Sequence, residues 1–227
     1  LRGGGHRVTL FTPWKEHQQT SPDVDSYLLP AVNIYPKQRV HLSYPVSLRL
    51  LSFVREQRYD LIHVHTSTSV NLLAWQVSKL FHLPVVYTYH TLSKNYLHYL
   101  GPLSEHMGSW LTAVVELYDK VICDRAHLIV TPSAKAAAYL AEMGVTPEVE
   151  VIPNGIDLDR FCPFPSDYLG EHFGVRRQDK VLLFVGRLNQ EKRPLLAYDL
   201  FHKLSRLRDD VHLVMVGGGP LREELSQ

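Results

Sequence analysis

The chain has almost no cysteine: Cys123 and Cys162 are its only two, and they lie far apart. They set no metal-ligand spacing and no disulfide framework, which leaves reduced thiols in a cytosolic protein as the reading. No apolar run reaches the roughly 18–20 residues of a membrane span. No signal peptide is visible, and the start, Leu1-Arg2-Gly3 without a methionine, looks cut. An excess of one charge is also missing. The 24 Lys and Arg nearly balance 23 Asp and Glu, for a formal net charge of +1. The basic residues are spread along the chain, which argues against a nucleic-acid binder that works by phosphate neutralisation. A local basic pocket for one phosphorylated small molecule stays open. Thirteen histidines are present without a His-Glu-x-x-His pattern. His63 and His65 have no evident third ligand beside them, so no metal is implied.

What is present is core material. Apolar residues make up 45% of the 227 and charged residues 21%, a globular rather than a disordered profile. A first β-rich strand reads at 8–11 and stops at Thr12-Pro13. Before it, Gly3 to Gly5 read as the tail of a helix. The polar, proline-punctuated stretch 14–44 holds at most a short strand near 27–29. A regular rhythm then begins: helix 48–57, strand 61–65, helix 70–81, strand 85–89, helix 109–123, strand 128–130, helix 134–143 capped by Ser133 and closed by Gly144, strand 149–152. Short apolar strands alternating with helices imply a parallel sheet covered on both faces. Pro153-Asn154-Gly155 breaks the rhythm and a stiff Cys162-Pro163-Phe164-Pro165 stretch follows, so a domain boundary falls near 159–165. Beyond it come strand 181–185, helix 194–207, strand 211–216 and a helix opening at Pro220. The expected organisation is therefore α/β with two domains. Residues 1–160 form an N-terminal Rossmann-like domain that lacks its first strand, and 161–227 begin a second, incomplete one.

In open parallel sheets, ligands bind beyond the carboxyl ends of the strands. Strand-end positions here are polar or glycine: His65 and Thr66, His90 and Thr91, Thr131 to Ser133, Asn154 and Gly155, Gly186 and Arg187, and Gly217 to Gly219. On the segment from Gly186 to Arg193, Arg187 and Lys192 share one strand-to-helix loop and can reach a single anion. Such cations, with helix N-terminal amides, would stabilise a departing diphosphate. The alternative is a solvated basic loop, although cations at a helix start oppose the helix dipole. Gly217, Gly218 and Gly219, followed by Pro220, would let backbone amides approach a phosphate or ribose; a plain turn is the alternative. The spacing is not a dinucleotide fingerprint, and no Walker-type loop occurs. His63 is expected to be a core histidine, whereas His65, next to the crevice, could be core or site. Asp124 and Arg125 read as a helix-end charge pair, and Asp157 with Asp159 as helix caps. Ser133 has no nucleophile-elbow context.

In order along the chain, Arg7-Val-Thr-Leu-Phe-Thr-Pro13, Asp60-Leu-Ile-His-Val-His-Thr66, Val85-Val-Tyr-Thr-Tyr-His-Thr91, Val151-Ile-Pro-Asn-Gly-Ile-Asp157 with Arg160-Phe161, Gly186-Arg187 through Glu191-Lys192, and Val216-Gly-Gly-Gly-Pro220 resemble family 4 of the GT-B glycosyltransferases. The resemblance implies a retaining transfer of a hexose from a UDP- or GDP-sugar, with no cofactor beyond that donor substrate. It implies that Arg187, Lys192 and Gly186 bind the donor diphosphate and that His90 is the active-site histidine near the donor sugar. His65, Thr91, Asn154, Gly217, Gly218 and Gly219 are candidate contacts to donor or acceptor. Tyr87 to Thr91 followed by Tyr96-Leu-His-Tyr99 look most like diacylglycerol glucosyltransferases. That aromatic loop could meet a bilayer or pack its tyrosines inward. The expected partners are thus the nucleotide-sugar, a lipid or sugar acceptor and a peripheral contact with the cytoplasmic membrane face, without nucleic acid.

Three departures stand out. The family's glycine-rich loop would precede Leu1 and its Glu-rich motif would follow Gln227, and Arg193 stands where many members carry glycine. The chain is therefore expected to be truncated at both ends and inactive alone, since transfer needs donor and acceptor held together. Two alternatives are a nucleotide-sugar epimerase of the same architecture and a non-catalytic nucleotide-binding module.

Overall fold

A computed structural model describes residues 4–13, 25–35, 40–43, 48–90 and 102–226. The chain divides into two compact units, Leu1–Gly155 and Ile156–Gln227.

In the first unit, β1 (Thr9–Thr12) pairs in parallel with β2 (Asp25–Leu28), and β3 (Ala31–Tyr35) pairs antiparallel with β4 (Val40–Ser43). The antiparallel pair is a correction to the sequence reading, which found at most one short strand there. Its strands are 5 and 4 residues long, too short for a period-2 signal to rise above the flanking prolines. There follow α1 (Leu48–Gln57), β5 (Ile62–Val64), α2 (Ser69–Phe81), β6 (Val85–Thr88), α3 (Pro102–Cys123), β7 (Leu128–Thr131), α4 (Ala134–Glu142) and β8 (Glu148–Val151). β5 to β8 form a four-stranded parallel sheet in chain order. The expected rhythm is thus present; α3 begins seven residues earlier than its apolar spacing implied.

Alternation along the strands sets the core. Val64, Val85, Tyr87, Tyr89 and Ile129 point inward and meet Ile122, Cys123 and Leu140. A second cluster joins Leu29, Leu50, Val54, Leu73 and Val77, so α1 and α2 bury their apolar stripes together. Each such aliphatic side chain contributes on the order of 1.5–3 kcal/mol on burial. The core also carries a polar contact. The Tyr89 hydroxyl donates to Asp119 Oδ2 at 2.8 Å, and both residues are 1% exposed. Burial, followed by the Asp119 charge, holds the phenol well above its ordinary range. Cys123 is buried beside it, its thiol pushed up to about 12 by burial and then by Asp119. That thiol is inert packing.

The turns follow local chemistry. Ser133 Oγ accepts from Ala136 N at 3.2 Å, the expected cap, and Gly144 follows α4 at φ +68°. Asp124 and Arg125 are not partners, contrary to expectation. Asp124 takes Lys120 at 2.8 Å and Thr146 N at 2.7 Å, while the Arg125 guanidinium lies over the Trp75 ring at 4.5 Å. A helix end turns adjacent side chains in different directions, so each reaches its own neighbour.

In the second unit, Asp157 Oδ1 accepts from Asp159 N and Arg160 N, closing a turn rather than capping a helix. Next come α5 (Tyr168–Phe173), unanticipated at six residues, β9 (Lys180–Val185), a 3₁₀ turn (Gln190–Lys192), α6 (Pro194–Ser205), β10 (Val211–Val216) and α7 (Arg222–Leu225). β9 and β10 are parallel, with Val185 opposite Val216, so the Arg187 loop and the glycine turn leave the sheet side by side.

Candidate functional site

In the first unit the histidines gather at the carboxyl ends of β5 and β6. The register pairs Val64 with Tyr87, so the residues just past the two strands are neighbours although 25 positions apart in sequence. The inward face of β5 belongs to Val64, 4% exposed. His63 and His65 therefore lie on the opposite face, as do Thr88 and His90. The core role expected for His63 is thereby corrected: the residue stays partly open to solvent on the face away from Val64, while its Nε2 meets Thr88 Oγ1 at 2.7 Å. Its ring centroid is 4.2 Å from that of His65. His65 Nδ1 lies 3.0 Å from His90 Nε2, with the rings stacked at 5.3 Å and 20°. Burial, then the neighbouring His63 and His90, lowers the His65 imidazole to about 4, and burial and His90 lower His63. His65 is thus neutral at physiological pH, a hydrogen-bonding group rather than a charge.

His90 closes the described part of this end, and Thr91, Tyr96 and Tyr99 lie outside the described residues. Asn154 and Gly155 are exposed past β8. A cavity of about 300 Å³ opens at the other end of the sheet, lined by Ser78, Lys79, His82, Leu83, Pro84 and His127. It contains none of the candidate residues. Polar groups converge instead at the histidine end, beyond the carboxyl ends of the strands, where open parallel sheets bind their ligands.

In the second unit, Asn189 is the hinge of the basic loop. It is 6% exposed, and its side-chain oxygen accepts from Lys192 N at 3.2 Å, folding 190–192 back as a single 3₁₀ turn. That turn brings Lys192 round toward Arg187. Glu191 joins them: Arg187 Nη2 lies 3.5 Å and Lys192 Nζ 3.3 Å from its two carboxylate oxygens. The two cationic side chains are 64% and 50% exposed, the carboxylate 16%. Glu191 therefore ties the two cations together while half or more of each cationic side chain stays open to solvent. The sequence points to the two cations and assigns Glu191 no part; its place between Arg187 and Lys192 is the available signal.

The glycine turn packs onto this loop. Gly186 N donates to Val216 O at 3.0 Å and Leu188 N to Gly218 O at 2.9 Å, carrying the β9–β10 ladder past the strand ends. A Cβ on Gly219 would stand 2.3 Å from Leu188 O, whereas one on Gly218 would meet nothing within 4 Å. Gly217 and Gly219 thus serve the close approach of two backbones, and Gly218 is the open position.

Among the described residues no group of three His, Cys, Asp or Glu could hold a metal ion, and no helix is long and apolar enough to cross a membrane.

Residues 1–160 match the family model described as Glycosyltransferase Family 4, and residues 165–227 match Glycosyl transferases group 1. Alpha-monoglucosyldiacylglycerol synthase of Streptococcus pneumoniae is 27% identical over 236 residues, covering 100% of this chain and 52% of that protein. The enzyme of the same name from Acholeplasma laidlawii is 25% identical over 240 residues, covering 100% of this chain and 59% of its own length. The chain therefore spans about half the length of these curated relatives. Among solved structures, sucrose-phosphate synthase from Thermosynechococcus elongatus superposes with a TM-score of 0.59 at 17% identity, over 95% of this chain and 62% of that one. That likeness shows the GT-B fold.

Proposed function

The chain belongs to glycosyltransferase family 4, and from that premise we propose that the whole protein moves a hexose from a nucleoside-diphosphate sugar to a diacylglycerol-type lipid, with retention. One observation carries this reading: sequence similarity to two alpha-monoglucosyldiacylglycerol synthases runs over all of the chain, through both the histidine end and the basic loop. Both matching family models describe transferases, which favours transfer over epimerisation.

The chemistry assigns a task to each group. As the sugar departs, negative charge grows on the diphosphate. Arg187 and Lys192, fixed on one loop and backed by Glu191, stabilise that charge, with the open backbone at Gly218 beside them. Cations preorganised where charge develops contribute more to the transition state than to the ground state. His90 orients the donor sugar. The acceptor hydroxyl attacks from the face the diphosphate leaves, and as the sugar–phosphate bond breaks its proton passes to the departing diphosphate oxygen. A UDP- or GDP-hexose is the donor class, and Thr91 and Asn154 are further contacts to donor or acceptor. With a lipid acceptor, the protein works at the cytoplasmic face of a membrane as a peripheral enzyme.

The test is product analysis. The whole protein, incubated with UDP- and GDP-hexoses and diacylglycerol vesicles, should yield a glycolipid and the matching nucleoside diphosphate in equal amounts. Nucleotide release without a glycolipid, or a changed sugar without transfer, would overturn the reading.

A further inference from the structure

Resting on the transferase reading above, we propose that His65 is a positioning residue: its Nδ1 accepts a hydrogen bond from His90 Nε2–H, locking His90 in the tautomer that presents a bare Nδ1 to a hydroxyl of the donor sugar. Of the two histidines, the resemblance makes only His90 the active-site one; the pairing comes from the geometry.

The two ring nitrogens stand 3.0 Å apart, within hydrogen-bond range, and the rings are nearly parallel. Two neutral imidazoles can make such a bond only if one donates and the other accepts. With His90 as donor, both rings take the Nε2–H tautomer, the form histidine side chains prefer in water. His65 then needs its Nδ1 unprotonated. Burial and the flanking His63 and His90 keep the ring from taking a second proton, since they hold its imidazole far below the ordinary value, so one of its two nitrogens is always free to accept. His63 completes the stack: its ring lies 4.2 Å from that of His65, and its own Nε2 is tied to the buried Thr88. The row Thr88–His63–His65–His90 is thus anchored in the sheet at one end. At the other, among the described residues, His90 Nδ1 has no hydrogen-bond partner.

Fixing a ring by its far nitrogen is a common way to choose which nitrogen acts. A neutral acceptor at Nδ1 suits a sugar hydroxyl, which carries its own proton to donate. It also keeps a net positive charge away from an oxocarbenium-like sugar as the diphosphate leaves.

The experiment uses the whole protein with histidine rings labelled by ¹⁵N, in wild type, His65→Leu and His65→Asn. Leucine removes the acceptor, whereas the asparagine amide oxygen can stand where Nδ1 stood. In wild type the His90 ring should show a protonated Nε2 and a bare Nδ1 at neutral pH. His65→Leu should turn this into a tautomer mixture and lower kcat by about 10–100-fold, the effect of a misplaced catalytic group, with KM for the nucleotide-sugar little changed. His65→Asn should restore the single tautomer and most of kcat. An unaltered His90 spectrum in His65→Leu, or equal losses of kcat in both variants, would overturn the proposal. The nitrogen spectra read the pairing even in a protein that transfers no sugar, so failure of the transferase reading and failure of this one are separate results.

Discussion

A Cβ placed on Gly217 would stand 1.8 Å from the carbonyl oxygen of Gly186. The Cβ is fixed directly to the backbone and its partner is a backbone carbonyl, so no flexible side chain can swing away to relieve it. Gly217→Ala should therefore force the turn from the Arg187 loop and destabilise the second unit by about 1–3 kcal/mol, the range of an overpacked site. Gly218→Ala, with open space around its Cβ, should stay within about 0.5 kcal/mol of wild type. Thermal denaturation of the two variants side by side checks the contrast. Equal effects would mean that the ladder past the strand ends is not formed.

Arg193 gives a prediction of the opposite sign. It sits at φ +52°, between the 3₁₀ turn and α6, and its side chain is exposed. The left-handed conformation costs a non-glycine residue about 1–2 kcal/mol, and glycine gives back part of the gain through its freedom when unfolded. Arg193→Gly should accordingly raise stability by up to about 1 kcal/mol, seen as a higher Tm. A lower Tm would show that the arginine side chain contributes a contact worth more than the strain.

Much of this was legible in the sequence, and the reasons are physical. The β5–β8 sheet could be read because each strand is a short apolar run between helices, and a parallel sheet buried on both faces demands such runs. Val211–Val216 could be bounded to the residue because glycine and aspartate punctuate it. The β3–β4 pair could not, since four or five residues among prolines carry too little period. The place of His63 is not legible for a related reason: alternation puts it opposite Val64 but does not say which face is the core. The meeting of His65 with His90 needed the register of two strands, a long-range fact. Arg187 and Lys192 were visible because they share one loop. Glu191 gives no such signal, because a carboxylate between two cations reads as an ordinary surface pair.

The first unit should lose stability in acid earlier than carboxylate chemistry alone would require. His65 titrates near 4 in the folded protein and near the ordinary 6.5 unfolded, and His63 is lowered in the same direction. Between those values the unfolded chain binds protons that the folded one refuses, so stability falls as pH drops from about 6.5 to 4. Asp179 in the second unit behaves differently. Arg176 holds its carboxyl at about 2, so its contribution persists until pH falls below the ordinary 3.8. Urea midpoints measured from pH 7 to 4.5 should decline for wild type and decline less for His65→Asn. A flat profile for wild type would mean that the histidine row is fully solvated.

The most direct test of the account lies in the basic loop. Single-turnover transfer of a hexose from its nucleoside-diphosphate donor should be measured with the whole protein as wild type, Arg187→Ala and Lys192→Ala. If the two cations stabilise the departing diphosphate, each variant should transfer more slowly by roughly 10²–10³, the loss typical of one transition-state donor, while retaining the wild-type Tm because both side chains are half or more exposed. Wild-type transfer rates in both variants would contradict the account.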